Sequence, residues 1–324
     1  MIRTGLIGLG HIGSTYVAAL PRIREVELVA GCDNNRALGS TLPRGTPFFD
    51  NHEDLLATDG FDTGVVATPN RTHSRIAMDA LRAGYHVIVE KPAASSLEEL
   101  DALERFAAEK GRHIYYAFHA ALAFEVDALQ VHMAQQDGRY GPITAFTSRF
   151  YDPYIDAQGS LVPHAQSLGD CWSDSGVNAL SVLDRLLPLE TFRLAFRRQS
   201  GELGSAPGVL SASVGFHFPV VGQDGAGFGL IDTAWDQGLN YKATTLYFGH
   251  TGWRIEANHS EQTLTRWDPQ GHPTTLARFD GDRLVNHYLG VFADYRDRVK
   301  AGSPMNGSAA RCIHAKLFEG MHRS

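Results

Sequence analysis

Two polar segments of this 324-residue chain carry side chains that could bind and oxidise a hydroxyl group. Lys91 follows the apolar stretch His86–Val89 and precedes a proline, so its position should be tightly held. An ammonium group there can hydrogen-bond a substrate oxygen or share a proton, whereas a cation that merely starts a helix is disfavoured at its positive end. Asp174 and Asn178 are four residues apart and share one helical face. On pattern alone Asp174 is either a helix N-cap or a functional carboxylate, and both interpretations stay open.

A glycine-rich turn, Gly8–Gly13, indicates a dinucleotide site. It has the pattern G-x-G-x-x-G, with a predicted buried strand, Ile2–Ile7, before it and a predicted helix, Ser14–Leu20, after it. Glycines between strand and helix let the backbone approach a pyrophosphate, which lies at the positive helix N-terminus. A second predicted strand, Val26–Cys32, ends at Asp33, about 20 residues beyond the last glycine, where a carboxylate can accept hydrogen bonds from an adenosine ribose.

The residues after the second strand favour NAD over NADP. The carboxylate of Asp33 would repel a 2′-phosphate, and the next residue, Asn34, is not basic. Arg36 is close enough in sequence to weaken this preference, so NADP stays possible.

The elements that must position these side chains alternate between strand and helix through the first third of the chain. A predicted strand, Gly64–Thr68, is followed by a helix, His73–Ala83, and a strand, Ile114–Phe118, comes after a helix with a capping box at its start. Such a βαβ series predicts a doubly wound parallel sheet. In such sheets ligands lie beyond the carboxyl ends of the strands. Three of those ends are polar or kinked: Thr68-Pro69-Asn70, Glu90-Lys91-Pro92 and His119.

Beyond about residue 122 the pattern changes to one in which strands dominate. We predict a helix, Phe124–Gln136, and then an antiparallel sheet with strands at Ile143–Tyr151, Val209–Val220, Thr244–Phe248, Trp253–Ala257 and Thr263–Trp267. Two helices, Leu284–Val299 and Ser308–His322, close the chain. We therefore expect two domains: 1–121, which binds the dinucleotide, and 122–324, which binds substrate and associates through its sheet.

Composition excludes several other classes of function. The net charge of −7 argues against nucleic acid as a partner, because phosphate binding needs a basic face. No apolar run approaches the roughly 20 residues that span a bilayer, and a strand predicted from residue 2 leaves no room for a signal peptide. The three cysteines are far apart, which fits free thiols in the cytoplasm, and no metal-ligand spacing is found.

Three motifs in order resemble the glucose–fructose oxidoreductase / inositol dehydrogenase (Gfo/Idh/MocA) family. They are GLGHIG near the N-terminus, Glu90-Lys91-Pro92 after a Rossmann strand, and a D-x-G-x-N helix start at Asp174. The resemblance implies an α/β fold: a Rossmann doubly wound parallel sheet, then a C-terminal α+β domain with a large, mainly antiparallel sheet. It also implies a nicotinamide cofactor, a sugar or cyclitol substrate, and a homodimer or homotetramer formed through that sheet.

Carried over residue by residue, the resemblance makes Lys91 and Asp174 the catalytic pair. Asn178 stands where most members carry histidine, and an amide cannot act as a general base. Asn178 would therefore orient sugar hydroxyls, together with His119, Trp172 and Lys91. The implied cofactor-binding set is Gly8, Gly10, His11, Ile12, Gly13, Asp33, Asn34, Arg36, Thr68, Pro69, Asn70, His73, Glu90, Lys91 and Pro92.

The D-x-G-x-N variant looks like the aldose 1-dehydrogenase branch, which acts on L-arabinose and D-galactose. We therefore expect oxidation of a sugar hydroxyl, at C1 of a cyclic aldose, to the lactone. An inositol, cyclitol or amino-sugar dehydrogenase of the same family, or a reductase, is an alternative. A non-catalytic dinucleotide-sensing protein is a further alternative, which the presence of Lys91 and Asp174 disfavours.

Overall fold

The computed structural model describes residues 1–136, 138–203 and 206–321, except for the side chains of 202, 203, 206–208 and 250. The chain forms two compact units. The first contains Met1–His119 and Leu284–His314, and the second contains Ala120–Arg283 and the residues from Ala315 on.

The first unit is built on a six-stranded sheet in the order β3-β2-β1-β4-β5-β6, and every pairing in it is parallel. Its strands are β1 Ile2–Ile7, β2 Val26–Cys32, β3 Phe48–Phe49, β4 Thr63–Val66, β5 His86–Glu90 and β6 Ile114–Ala117. Its helices are α1 His11–Ala19, α2 His52–Leu56, α3 His73–Arg82 and α4 Leu97–Glu109. This confirms the predicted doubly wound sheet.

Local sequence explains why these elements form. Every residue of β4 is buried, as expected for a strand covered on both faces. Helix α3 buries its predicted apolar face, which consists of Ile76, Ala77, Ala80 and Leu81. The start of α4 is capped as the capping box predicts: Ser96 accepts a hydrogen bond from the backbone N–H of Glu99 at 3.2 Å, and the Glu99 carboxylate accepts from Ser95.

The second unit is built on an eight-stranded sheet in the order β14-β13-β12-β11-β7-β10-β9-β8. Only the β7–β10 pairing is parallel, so the sheet is mainly antiparallel as expected. Its elements are α5 Phe124–Gln135, β7 Ile143–Tyr151, α6 Val177–Leu186, β8 Arg193–Leu203, β9 Ala206–Pro219, β10 Ala226–Ala234, β11 Tyr241–Phe248, β12 Trp253–Asn258, β13 Thr263–Trp267 and β14 Pro273–Arg278.

Three of these strands, β8, β10 and β14, were missing from the sequence prediction. Strand β8 is mostly exposed and polar, β10 contains glycines at alternate positions, and β14 begins at a proline, so apolar and polar residue types do not alternate clearly in any of them, although burial alternates along β10. Tertiary pairing overrides weak local preference in such strands.

Two helices close the chain, α7 Arg283–Ala301 and α8 Gly307–Gly320. Residue His322, where we predicted the last helix to end, lies outside the described residues. The segment Leu284–His314 was expected in the second domain but packs with the first unit. The reason is that α7 inserts aromatic side chains there: the hydroxyl of Tyr295 lies 2.9 Å from that of Thr63, and the hydroxyl of Tyr115 donates to Asp294 at 2.7 Å.

Shorter helical turns complete the chain. They are the 3₁₀ turns Leu20–Arg22, Arg36–Thr41, Asn70–Thr72, His119–Leu122, Pro163–Ser167, Leu189–Thr191 and Gly249–Thr251, and one π-helical turn, Trp172–Gly176. Among the described helices, none is both long enough and apolar enough to cross a bilayer.

Candidate active site

The three glycines of the turn after β1 differ in the space that surrounds them. Gly8 has φ +98°, and a Cβ there would lie 2.4 Å from the carbonyl oxygen of Ala67. A Cβ on Gly13 would lie 2.2 Å from the Gly8 carbonyl oxygen, whereas a Cβ on Gly10 would have nothing within 4 Å. The outer two glycines therefore satisfy the packing of the chain itself, and Gly10 leaves open space where a dinucleotide backbone would approach. The residues present fit NAD.

Helix α1 begins three residues earlier than we predicted, with Gly10 as its N-cap. His11 and Ile12 thus lie in its first turn, the part of a helix whose backbone N–H groups are directed toward a bound anion. This arrangement suits a pyrophosphate, because the helix dipole favours negative charge at the same place.

Asp33, at the end of β2, is tied to the glycine turn. One carboxylate oxygen accepts a hydrogen bond from the backbone N–H of Leu9 at 2.8 Å, and the other accepts from Asn35 at 2.8 Å. A carboxylate has about four acceptor positions, so both oxygens keep capacity for ribose hydroxyls.

The neighbourhood of Asp33 is acidic. Arg36, the one basic residue we considered a possible 2′-phosphate partner, is ion-paired with Asp50 at the surface. The pKa of the Cys32 thiol is raised to about 12, first by burial and then by the charges of nearby carboxylates, which include Asp33 and Glu53. Negative potential of this kind disfavours a 2′-phosphate.

His73 connects two of the strand ends at which we predicted cofactor contacts. Its ring is 1% exposed, with Nδ1 2.9 Å from the carbonyl oxygen of Pro92 and Nε2 2.6 Å from that of Thr68. Burial lowers its pKa, so the neutral ring donates to one carbonyl. Pro69 and Asn70 stand between, where the chain leaves β4 and enters a 3₁₀ turn. The His73 side chain therefore holds this edge of the sheet together.

Glu90 supports Lys91 from the interior. Its carboxyl is 4% exposed, and Oε1 accepts hydrogen bonds from the hydroxyls of Tyr16 at 2.8 Å and Tyr288 at 2.6 Å. Oε2 accepts from the backbone N–H of Lys91 at 3.2 Å. Both oxygens are thus engaged within the chain, and burial raises the pKa of this carboxyl. Glu90 fixes the backbone from which the half-buried Lys91 side chain projects.

His119 follows β6, the strand beside β5, so it lies at the same edge of the sheet as Lys91. It is buried, its Nδ1 is 3.2 Å from Nδ1 of His287, and its ring lies 5.3 Å from that of Tyr288. One of the two facing nitrogens must carry a proton and the other must accept it, so the two rings fix each other's tautomers.

In the second unit, Asp174 lies within a helix rather than at its start. We expected the helix to begin near Asp174, but Asp170 is the capping residue: it accepts from the backbone N–H of Ser173 at 2.8 Å, and Ser173 Oγ accepts from that of Asp170 at 2.9 Å. The N-cap interpretation of Asp174 is therefore wrong. Asp174 instead sits in the π-helical turn Trp172–Gly176, and such turns occur frequently at functional sites.

Trp172 belongs to the packing beneath that turn. It is fully buried, and its indole N–H donates to the carbonyl oxygen of Leu317 at 2.8 Å. A Cβ on Gly176 or on Gly320 would approach the indole to within 2.7 Å and 2.3 Å, respectively. Its side-chain donor is used inside the unit, so Trp172 supports the turn, and its contact with a sugar stays a prediction.

Asn178 carries a buried acceptor that lacks a donor. The side chain is 8% exposed, and among the residues that the structure describes nothing donates to its Oδ1. Asp174 is similarly buried, at 5% exposure. An unsatisfied buried acceptor costs about 1–3 kcal/mol, which a ligand O–H or N–H would recover.

Sequence reasoning missed the residues that support these side chains. In the first unit they are Tyr16, Tyr288 and His287, and in the second they are Asp152, Ser175, Trp235 and Lys242. Asp152 directly follows β7 and Ser175 directly follows Asp174, which are weak signals that could have been used. The others lie far away in sequence and carry no motif. Among the described residues, no three His, Cys, Asp or Glu side chains gather as a metal site requires.

Comparison with known proteins bears on the first unit most strongly. Residues 2–118 match the family described as "Oxidoreductase family, NAD-binding Rossmann fold". Over 125 residues the chain is 34% identical to glucose-6-phosphate 3-dehydrogenase of Bacillus subtilis, covering 36% of this chain and 35% of that protein. It is 30% identical over 152 residues to D-glucoside 3-dehydrogenase of Escherichia coli, covering 46% and 43%. The matched stretches thus span well under half of these relatives.

A solved structure extends the likeness of fold to nearly the whole chain. An inositol dehydrogenase homologue from Azotobacter vinelandii, complexed with NADH and myo-inositol, superposes with a TM-score of 0.77 at 20% identity, covering 98% of this chain and 95% of that one. Residues 2–118 of this chain thus match an NAD-binding Rossmann family of oxidoreductases, and the glycine turn, Asp33 and the six-stranded parallel sheet agree with that match.

Proposed function

We propose that the chain is an NAD-dependent dehydrogenase that oxidises a sugar hydroxyl, with C1 of a cyclic aldose as the reacting carbon. The observation that carries the proposal is the buried pair Asp174 and Asn178, with an acceptor on Asn178 that the described residues leave unsatisfied. A polyol supplies several hydroxyl donors at once, which suits such a site. The carboxylate beside it can take the proton that must leave when a carbinol is oxidised.

Each side chain then has one task. Bound NAD supplies the acceptor for the hydride that leaves the carbinol carbon. Asp174 accepts the hydroxyl proton on a carboxylate oxygen, and the ammonium of Lys91 donates a hydrogen bond that stabilises negative charge on the reacting oxygen. Asn178 and His119 orient the ring. Oxidation of a hemiacetal carbon in this way gives the lactone.

We further propose that NAD is preferred to NADP. The support is the charge around the adenosine end: Asp33 lies at the end of β2, and Asp50 neutralises Arg36. The expected result is a kcat/KM for NAD at least tenfold above that for NADP. A clear preference for NADP would show that Arg36 outweighs Asp33.

The test of the activity is NADH formation, followed by absorbance, across a panel of aldoses, cyclitols and amino sugars at alkaline pH. Turnover on L-arabinose, D-galactose or a close epimer supports oxidation at C1. Bound NADH without turnover on any member of the panel would contradict the proposal and favour a dinucleotide-sensing protein.

A second candidate is oxidation of a secondary ring carbinol. It is favoured by the names of the two relatives cited above, which are 3-dehydrogenases, and by the myo-inositol bound to the structural neighbour. Activity on inositols alone, or a 3-keto product identified by mass spectrometry and NMR, would select this reaction over lactone formation.

We also propose that the chain forms a homodimer or homotetramer through its eight-stranded sheet. Phe196 in β8 and Phe228 in β10 are 44% and 40% exposed, and their ring centroids lie 6.2 Å apart across β9. Covering such side chains favours association. A monomer in sedimentation-velocity experiments at micromolar concentration would contradict this.

A further inference from the structure

Directly behind the turn that carries Asp174 lies a buried ion pair. Nζ of Lys242 is 2.7 Å from Oδ1 of Asp152, and the two side chains are 6% and 12% exposed. The ammonium also donates to Oδ1 of Asn240 at 2.7 Å and to the carbonyl oxygen of Tyr151 at 3.1 Å. Three acceptors match the three protons of an ammonium, so the geometry favours a charged lysine.

The ion pair is connected to the turn through a serine. The hydroxyl of Ser175, the residue after Asp174, donates to Oδ2 of Asp152 at 2.9 Å. The indole N–H of Trp235 contacts the same hydroxyl at 3.4 Å. Ser175 is fully buried, so its hydroxyl has a fixed orientation and holds the backbone of the π-helical turn in one place.

Asp174 needs a positive neighbour because of its burial. A carboxyl that is 5% exposed loses much of its hydration, which favours the neutral form. Burial lowers the pKa of the Lys242 ammonium, and the negative charge of Asp152 and then that of Asp174 act in the opposite direction. The interaction is reciprocal, so the lysine charge favours the ionised form of Asp174.

We propose that Lys242 is a positioning residue for Asp174. Through Asp152 and Ser175 it fixes the turn, and its buried charge keeps the Asp174 carboxylate ionised and able to accept a proton. This inference rests on the role proposed above for Asp174.

Several other groups face the same turn, and their charges enter the balance. They are Arg283, Asp170 and Asp236, with the phenol of Tyr154 and the thiol of Cys171. Burial, followed by the charges of Asp174 and Asp152, raises the pKa of Tyr154, so this phenol stays protonated and adds no charge. Removing the charge of Lys242 and removing that of Asp152 should therefore change the electrostatic potential at Asp174 in opposite directions.

The test is a carbon-13 NMR titration of the Asp174 carboxyl, assigned with Asp174→Asn, in the full chain without substrate. Lys242→Met should raise the pKa of Asp174 by about one unit, and Asp152→Asn should lower it by a similar amount. Lys242→Arg should restore a pKa close to that of the wild type. Lys110→Met, which removes an exposed lysine directly after α4, is the matched control and should leave the value unchanged.

A purely structural role would lower the melting temperature of both variants without moving the pKa of Asp174 in opposite directions, and that result would overturn the inference. If Lys242→Met does not fold, Asp152→Asn and Lys242→Arg still carry the test. The acidic limb of kcat/KM for an active sugar should follow the same shifts. Opposite pKa shifts without turnover on any sugar would support this inference and contradict the proposed function. Turnover with unchanged pKa values would support the proposed function and contradict this inference.

Discussion

Two glycine-to-alanine variants in the glycine turn should distinguish a loss of cofactor affinity from a loss of folding stability. Gly10→Ala places a methyl group where nothing lies within 4 Å, at an exposed residue whose φ is negative. We expect the free energy of unfolding to change by less than about 0.5 kcal/mol. The same methyl group occupies the space through which a pyrophosphate approaches the backbone, so the Kd for NADH should rise at least tenfold, or about 1.4 kcal/mol.

Gly13→Ala is the matched contrast. Its methyl group would lie 2.2 Å from the carbonyl oxygen of Gly8, so α1 must move away from β1. Forcing atoms into a packed site of this kind costs about 1–3 kcal/mol, and we expect a loss of stability even without cofactor. The two variants should therefore fail in different ways.

The assay is urea unfolding of each protein with and without NADH. At an NADH concentration of 100 times the wild-type Kd, the wild type should gain about 2.7 kcal/mol of stability, whereas Gly10→Ala should gain about 1.4 kcal/mol or less. Calorimetric titration gives Kd independently. If Gly10→Ala binds NADH as tightly as the wild type does, the open space at Gly10 is not the pyrophosphate position, and the reasoning is refuted.

Three further outcomes follow from the same structure. Lys91→Ala should lower kcat by about two to four orders of magnitude, the scale of acid–base assistance, and near-normal turnover would remove its proposed role. Asn178→Leu removes a buried unsatisfied acceptor, so urea unfolding should show equal or greater stability, while steady-state kinetics should show KM for the sugar raised about tenfold or more. The third outcome concerns His314, which is fully buried and whose pKa is lowered by burial to about 4. Its Nε2 accepts a hydrogen bond from the backbone N–H of Ala93 at 3.1 Å, and its Nδ1 donates one to the carbonyl oxygen of Ala310 at 2.8 Å. In the unfolded chain His314 binds a proton near pH 6.5, whereas in the folded chain it stays neutral down to about pH 4. The free energy of unfolding should therefore fall by about 3 kcal/mol between pH 6.5 and 4 relative to that of His314→Gln. Parallel pH profiles of the two proteins would contradict this.

Local patterning was sufficient for most of the first unit. The strands Ile2–Ile7 and Val26–Cys32 have the predicted bounds, because each is a short, mainly apolar segment followed by a change in residue type, a glycine turn after Ile7 and polar residues after Cys32. The glycine motif likewise predicted a dinucleotide site, since its spacing between a strand and a helix can be recognised from the local sequence. Patterning failed for β8, β10 and β14, which are strands because neighbouring strands pair with them.

What the sequence determined by itself was the alternation of strand and helix in the first unit, the Rossmann character of 2–118 and the identity of the polar side chains at strand ends and at Asp174. Only the tertiary structure decided what those side chains touch. It decided that Asp170 and not Asp174 caps the helix, that Trp172 is a buried support, and that Lys242 lies behind Ser175. The partners of Trp172 and Ser175 are Leu317 and Asp152, which lie tens of residues away in sequence. No local rule specifies a contact that exists only when two distant segments pack together.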